Sequence, residues 1–490
     1  MSSSLKQKIL SGVLWQGLEK FGNQGISFLI SVILARLLAP EEFGVLAILM
    51  IFTNFCSIFI DAGFTEALIQ KKDLKECDCC SVFFMNIVAS LFLYVLIYFC
   101  APLVAEFYKT PQLSLYLRVI GIILVTNALG GVQRAMLIRK MMFHLTFRIS
   151  WTAQLCSGTV AIIMAYHGFG VWALIVQQLI SSLLTTSLGW LLIKWHPKLL
   201  FAWNNLRILF NFGGKLFAAG LLNAFFEDFY SIFIGKLFDL STLSFFNRGK
   251  HIPMLGMGMI NSTIGSVMLP AFSSIQDDMN KMRNLAMRGL KNIMFFVIPV
   301  MLFLISTARD VVILLFTEKW LGSVKFLQLF CLVYMMWPFY TLNLQILKAT
   351  GNSDKFLILE VVKKAVLIIA LLCTFKFGVL AMTWGLIISG FISIIINGWY
   401  SGCLIKYSWW QQIFDVFPLL LCSCISACLS FLAGRFFNSS ICNLAVSFIC
   451  FALSFGILTI WFKIIPDELI QLVNDFFSKL FNRKKDADYW

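Results

Sequence analysis

Long hydrophobic runs, separated by short polar connections, follow one another along the whole chain. A helix needs roughly 20 apolar residues to cross a bilayer, whereas a membrane barrel would alternate apolar and polar positions. The runs therefore predict an all-α integral membrane protein with about fourteen transmembrane helices. The first six are expected at Ser11–Leu38, Phe43–Phe64, Ser81–Val104, Leu115–Ile138, Ile149–Tyr166 and Phe169–Ile193. A basic connection, "KWHPKLLFAWNNLR", follows. Six more are expected at Phe212–Phe238, Leu243–Phe272, Leu290–Phe316, Val324–Leu347, Phe356–Thr374 and Val379–Leu404, and two last ones at Phe414–Gly434 and Ile441–Phe462.

Basic residues test this pattern. With the N-terminus in the cytoplasm, the inner side holds Lys71, Lys72, Lys75, Arg134, Arg139, Lys140, Arg148, Lys194, Lys198, Arg207, Lys281, Arg283, Arg288 and Lys291. The tail adds Arg483, Lys484 and Lys485, while the outer connections hold chiefly Lys109, Lys319 and Lys325. Such alternation obeys the positive-inside rule and places both termini in the cytoplasm. Beyond Pro466, Leu469, Leu472, Val473, Phe476, Phe477 and Leu480 recur at helical spacing before a basic cluster. That spacing predicts an amphipathic helix on the cytoplasmic leaflet.

Two stretches repeat. "ILARLLAPEEFGVL" (Ile33–Leu46) precedes "FIGKLFDLSTLSFF" (Phe233–Phe246) by 200 positions, and "FGVWAL" (Phe169–Leu174) precedes "FGVLAM" (Phe377–Met382) by 208. The offsets put both pairs on equivalent helices of two six-helix halves with the same orientation, a parallel repeat. The expected organisation is a first lobe at 1–193, a cytoplasmic connection at 194–211 and a second lobe at 212–404. Two further helices occupy 405–463, and the amphipathic tail 464–490.

Composition strengthens the membrane reading. Hydrophobic residues make up 60% and charged residues 13% of the 490, far from a soluble domain. The opening "MSSSLKQKIL" lacks a signal-peptide cleavage pattern, so the first helix is expected to be retained. The net charge of +15 is largely topology, which removes the argument for nucleic acid. The 14 Cys lie mostly in apolar runs and the 4 His are scattered, so neither a disulfide framework nor a metal site is expected. No cofactor is called for.

Polar groups inside the spans carry the functional reading, because a charge at the bilayer centre costs roughly 2.5–3.5 kcal/mol on insertion scales. Helix one has a stripe through Gln16, Lys20, Asn23 or Gln24, Ser27 and Ser31, with Glu19 beside it. Its repeat partner has Asn223, Glu227 and Ser231, with Asp228 adjacent and Lys215 toward the cytoplasm. Helix two carries Asn54 and Asp61, and helix eight begins with Arg248 and Lys250. Glu19, Asp61, Glu227 and Asp228 fit either internal pairing or a polar cavity, for sugar contact or ion coupling. Lys20, Lys215, Arg248 and Lys250 point to a water-filled cationic cavity suited to a phosphate. Glu360 and Lys364, four apart on helix eleven, are expected to form a salt bridge. The sequence contains no GxSxG, nucleotide-binding loop or paired carboxylates in a large polar loop, so no catalytic residue is assigned.

With these features in view, the chain resembles a Wzx-type polysaccharide or lipopolysaccharide (O-antigen) flippase of the multidrug/oligosaccharidyl-lipid/polysaccharide exporter superfamily. "GVLWQGLEKFGNQGISFLISVILARLLAPEEFGVLAI" and "FIDAGFTEALIQKKD" resemble its amino-terminal signature, and "FNRGKHIPMLGMGMINSTIGSVMLPAFS" its eighth helix. The resemblance implies an oligosaccharide unit on an undecaprenyl pyrophosphate carrier, moved across a bacterial inner membrane by alternating access. It implies a role in O-antigen, capsule or exopolysaccharide biosynthesis, with a polysaccharide polymerase and export machinery as partners. Proton or sodium coupling stays open. Competing readings are a cation-coupled multidrug antiporter of the same superfamily, which should have an acidic cavity, and a membrane polymerase or glycosyltransferase, which should have a large polar outer loop.

Overall fold

The computed structural model describes residues 3–435, 439–466, 468, 470 and 471; within them, the side chains at 3–16, 18–20, 208, 211, 212, 215, 216, 219, 353, 354, 356 and 357 lie outside the description. The described residues are nearly all helical and include no strand. In chain order the first helices are α1 (Ser3–Leu37), α2 (Pro40–Asp61), α3 (Phe64–Gln70), α4 (Glu76–Phe107), α5 (Leu113–Ile120) and α6 (Ile122–Arg139). They continue with α7 (Phe143–Tyr166), α8 (Val171–Leu192), α9 (Trp203–Leu237), α10 (Leu240–Ser273), α11 (Met279–Phe316) and α12 (Ser323–Met335). The last are α13 (Trp337–Ala349), α14 (Ser353–Thr374), α15 (Val379–Ile405), α16 (Trp409–Ala433) and α17 (Ser440–Trp461).

Every expected crossing falls on a helix or a broken pair, and eleven spans among the described residues are long and apolar enough to cross a membrane. The other three expected crossings, on α1, α9 and α14, are the helices with charges near their centres. In α1 the shorter apolar part is Phe21–Leu37. Two expected crossings are broken: the fourth at Gly121, between α5 and α6, and the tenth at Met336, where Pro338 opens α13. The amphipathic tail lies mostly outside the described residues.

Surfaces are inverted relative to a water-soluble protein. On α4, Phe92, Phe99 and Leu103 face outward while Ser81, Asn86, Ser90 and Ala101 are buried. Lipid tails are as apolar as leucine, so burying leucine between helices gains little there; small and polar residues let helices close and bond. The contact of α1 with α7 shows it. A Cβ on Gly22 would lie 2.7 Å from the Trp151 ring, and one on Gly158 would lie 2.2 Å from Ile30. In the same way, Ser430 and Ser447 each donate a hydroxyl to the other's carbonyl at 3.0 Å, joining α16 to α17.

Packing divides the chain into two compact units, Met1–Ser244 and Phe245–Trp490. The first includes α9, which packs on α2, α3 and α4. This grouping follows contacts, whereas the expected lobes follow the repeat. The helices do keep the offset of the repeat: α1 and α9 each have 35 residues and end at Leu37 and Leu237, and α2 and α10 begin at Pro40 and Leu240. The two repeated turns also meet inside the first unit. The Ser241 hydroxyl donates to Glu41, its equivalent in the other turn, and a Cβ on Gly44 would strike the Leu240 carbonyl.

Candidate functional site

The first unit contains a cavity at the end of α2 whose largely apolar wall carries several polar and charged groups. Pro40 and Glu42 start that helix, the Glu42 carboxylate accepting the Ala39 N–H at 2.7 Å. It stops at Ala62 (φ 43°) and Gly63 (φ 75°), both left-handed. Gly63 is required twice over, since a Cβ there would also lie 2.3 Å from the Gly213 carbonyl oxygen. The reversal launches α3, so Asp61 and Glu66 come to line one space. Thr65 donates its hydroxyl to Asp61.

That cavity, about 520 Å³, is completed by Asn86 of α4 and by Asn127 and Arg134 of α6. A second cavity of about 370 Å³ shares Asn127 and Arg134 and adds Gln133, Thr146 and Thr185. Arg134 therefore borders both. Its guanidinium is exposed and makes no hydrogen bond or ion pair with the described residues. Asn127 is held from α8, where Ser182 donates to its Oδ1 at 2.7 Å and Thr186 donates to the Thr126 carbonyl at 2.8 Å. The Asn86 Oδ1 is buried without a partner among the described residues. The arrangement offers one arginine, two carboxylates and two amides to a polar ligand. An unpaired guanidinium suits a phosphate, and the carboxylates suit a cation or proton.

Of the groups singled out in the sequence, Asp61 lies in this cavity. The side chains of Glu19, Lys20 and Lys215 lie outside the described residues. Asn23 is half-buried at the contact of α1 with α7, and its Oδ1 and the Trp151 Nε1 both lack hydrogen-bond partners among the described residues. Gln24 is engaged with a neighbour. On α9, Asn223 and Glu227 are exposed and Asp228 is half-buried; Glu227 and Asp228 each have a partner. Nothing in the sequence marks Glu66 or Asn86, and Arg134 stands there as a topological charge. The signal present is the spacing of Asn127 and Arg134, seven apart and so on one face of a helix.

In the second unit, Arg248 is only 7% exposed. Its guanidinium lies 4.8 Å from the ring centre of Phe316 and 4.9 Å from that of Trp320, a residue itself fully buried. Lys250 is half-buried and has a partner. On α14, Glu360 accepts from Lys363 at 2.5 Å, a pair three apart, and Lys364 also has a partner. No group of three His, Cys, Asp or Glu that could hold a metal occurs among the described residues.

A family model described as polysaccharide biosynthesis protein matches residues 33–325. The chain belongs to this family. It is similar to the teichuronic acid biosynthesis protein TuaB of Bacillus subtilis (strain 168), with 23% identity over 406 residues, 82% of this chain and 84% of that protein. It is similar to the lipopolysaccharide biosynthesis protein WzxC of Escherichia coli (strain K12), with 22% identity over 68% of each chain. Among solved structures, the lipid II flippase MurJ in an inward closed conformation shares the fold, with a TM-score of 0.74, 18% identity, and coverage of 92% of this chain and 99% of MurJ. A multidrug resistance MATE family transporter of the MOP superfamily, inward-facing, aligns with a TM-score of 0.59 at 15% identity, covering 79% of this chain and 96% of its own. The fold of this chain is thus one that it shares with both of these structures.

Proposed function

We propose that the protein is a flippase for lipid-linked oligosaccharides, carrying undecaprenyl-pyrophosphate-linked repeat units across the bacterial inner membrane by alternating access. The observation that carries this reading is Arg134, a guanidinium without a partner among the described residues that borders two cavities among spanning helices. A pyrophosphate would meet it through charge-assisted hydrogen bonds, which are short and about twice as strong as neutral ones. Asn86 and Asn127 would serve sugar hydroxyls. Lys20, Lys215 and Lys250 remain candidates for anion contact. Arg248 reaches an anion only when the rings of Phe316 and Trp320 part from it. The relatives' names support the pathway class, and the loop charges support cytoplasmic termini.

A second reading has its own observation. Asp61 and Glu66 line the same cavity and outnumber its one arginine, as a cation-coupled antiporter would require. One experiment separates the two: a deletion strain complemented with the chain, scored for surface polysaccharide, for accumulated lipid-linked precursor and for efflux of a cationic dye. The flippase reading expects precursor to build up on deletion and to clear on complementation. Dye efflux without any effect on precursor would replace it with the antiporter. Cysteine probes near Thr110 and Lys281, added to an otherwise cysteine-free chain, fix the sides; outside labelling of Lys281 alone would reverse the topology.

A further inference from the structure

A separate basic pocket lies where α3, α6 and α8 end. Arg139, the last residue of α6, donates to four carbonyl oxygens, those of Leu68 (2.8 Å), Ile69 (3.1 Å), Lys71 (2.5 Å) and Lys72 (2.9 Å). The last carbonyls of a helix lack intrahelical partners, and a cation beside them is favoured by the helix dipole. One side chain thus pins the segment after α3 against the end of α6. The neighbouring Lys71 is used up in an ion pair with the buried Asp78 at 2.7 Å. Lys72 stays exposed, next to Lys140 just beyond α6 and Lys194 just beyond α8.

These three lysines border a space of about 570 Å³ together with Arg139 and Trp195. Asp73 is the one acid on its border, and the side-chain ammonium groups of Lys72, Lys140 and Lys194 make no ion pair or hydrogen bond with the described residues. Gathering like charges is unfavourable unless an anion joins them. The chain then leaves Trp195 through Leu199, Leu200, Phe201 and Trp203, all exposed, Leu199 at 95%. Apolar and Trp side chains following bare lysines within a few residues along the chain are the pattern of a segment at the boundary of headgroups and acyl chains.

We propose that this pocket binds the phosphate headgroup of an anionic glycerophospholipid, its acyl chains lying along Leu199–Trp203. The lysines neutralise the phosphodiester, Trp195 packs at headgroup level, and the apolar run accepts the tails. A free phosphate would meet the lysines but leave the apolar run without a role. The site stands apart from the polar cavity of the same unit, sharing none of its lining residues. It therefore does not depend on the transport reading.

The test uses the full-length protein in an uncharged detergent, titrated with phosphatidylglycerol or phosphatidylcholine, with retained lipid read by native mass spectrometry. Each lysine near an anionic surface is worth about a fivefold change in affinity, so Lys72→Gln/Lys140→Gln/Lys194→Gln should weaken phosphatidylglycerol retention roughly a hundredfold. Lys109→Gln/Lys319→Gln/Lys325→Gln, with the same loss of charge in the predicted outer connections, should retain it. Leu199→Ser/Phe201→Ser should weaken retention of the lipid without affecting competition by inorganic phosphate. Should the triple variant fail to fold, Lys140→Gln/Lys194→Gln should still show a loss of about twenty-five-fold. Equal retention by wild type and these variants overturns the site. So does displacement of the lipid by an equimolar amount of inorganic phosphate, which would make the ligand a soluble anion.

Discussion

Arg134 and Arg248 both sit within spanning helices, and their surroundings are opposite. Arg134, five residues before the end of α6, faces two cavities and lacks a partner among the described residues. Arg248, eight residues into α10, is shut against the faces of Phe316 and Trp320. A guanidinium over aromatic rings gains about 2 kcal/mol when desolvated, so enclosure makes it part of the packing. An open guanidinium gains its stabilisation from whatever enters the cavity. The difference teaches that charge within a membrane segment is not one signal. What differs is whether space is left beside the guanidinium: Arg134 borders open cavities that Asn127, Thr185 and Gly131 help to line, whereas the rings of Phe316 and Trp320 close directly on Arg248.

The largest expected effect follows from that contrast. Arg134→Ala should reduce export at least tenfold at matched membrane abundance, because a hydrogen bond to a charged group is worth roughly 1.5–3 kcal/mol. Arg134→Lys keeps the charge but loses the planar fork, so it should recover only part of the activity. Arg248→Ala should instead lower abundance and thermal stability, with export per molecule largely kept. Surface polysaccharide and quantified membrane protein read both. Were Arg248→Ala abundant and inactive while Arg134→Ala exported normally, the roles assigned to the two arginines would be exchanged.

A middle-sized effect concerns how three helices of the second unit are held together. Asn343 and Gln412 exchange amide hydrogen bonds at 2.9 and 3.0 Å, and Ser401 donates to Asn343 Oδ1 at 2.8 Å. All three are fully buried and join α13, α15 and α16. Asn343→Leu leaves the buried Gln412 Oε1 without its donor, although Nε2 keeps the Tyr407 carbonyl at 3.2 Å, at a cost of about 1–3 kcal/mol. The double variant Asn343→Leu/Gln412→Leu leaves no orphan of the pair and should regain part of that loss. Melting in detergent measures both. A double variant less stable than either single one would show that the amides are not acting as a pair.

Much of this was legible in the residues and some was not. Hydropathy locates the helices because the bilayer demands about 20 apolar residues whatever the packing. It also draws attention to Asp61, whose charge stands out in an apolar run and which lines a cavity. It does not reveal that Arg134 borders two cavities, because a basic residue near a helix end serves topology equally well, and only the third dimension shows which side chain faces a cavity. It could not separate Arg248 from Arg134, since Phe316 and Trp320 lie about seventy positions away in sequence. The short α3 was hidden because seven residues are too few for a periodic signal, although Ala62–Gly63 marked the reversal before it.

The smallest expected effect lies at the exposed start of α11, where the second unit relies on a cap instead of an enclosed network. Asp278 accepts the Lys281 N–H at 3.0 Å and pairs with the Lys281 ammonium at 3.1 Å. The backbone hydrogen bond first, and then the lysine side chain, hold its carboxyl below the usual carboxylate range. A lowered folded pKa means that the stabilisation is full above the unfolded value of about 3.9 and is lost as the pH falls through the folded value. Asp278→Asn keeps an acceptor that does not titrate, so its first turn should be protected at every pH. Asp278→Ala removes the acceptor and should speed amide exchange in that turn at neutral pH. Wild type should therefore match the asparagine variant at neutral pH and drift toward the alanine variant in acid, compared at equal pH by hydrogen exchange. An asparagine variant that exchanges like alanine at neutral pH would show that the ion pair with Lys281, not the cap, protects the turn.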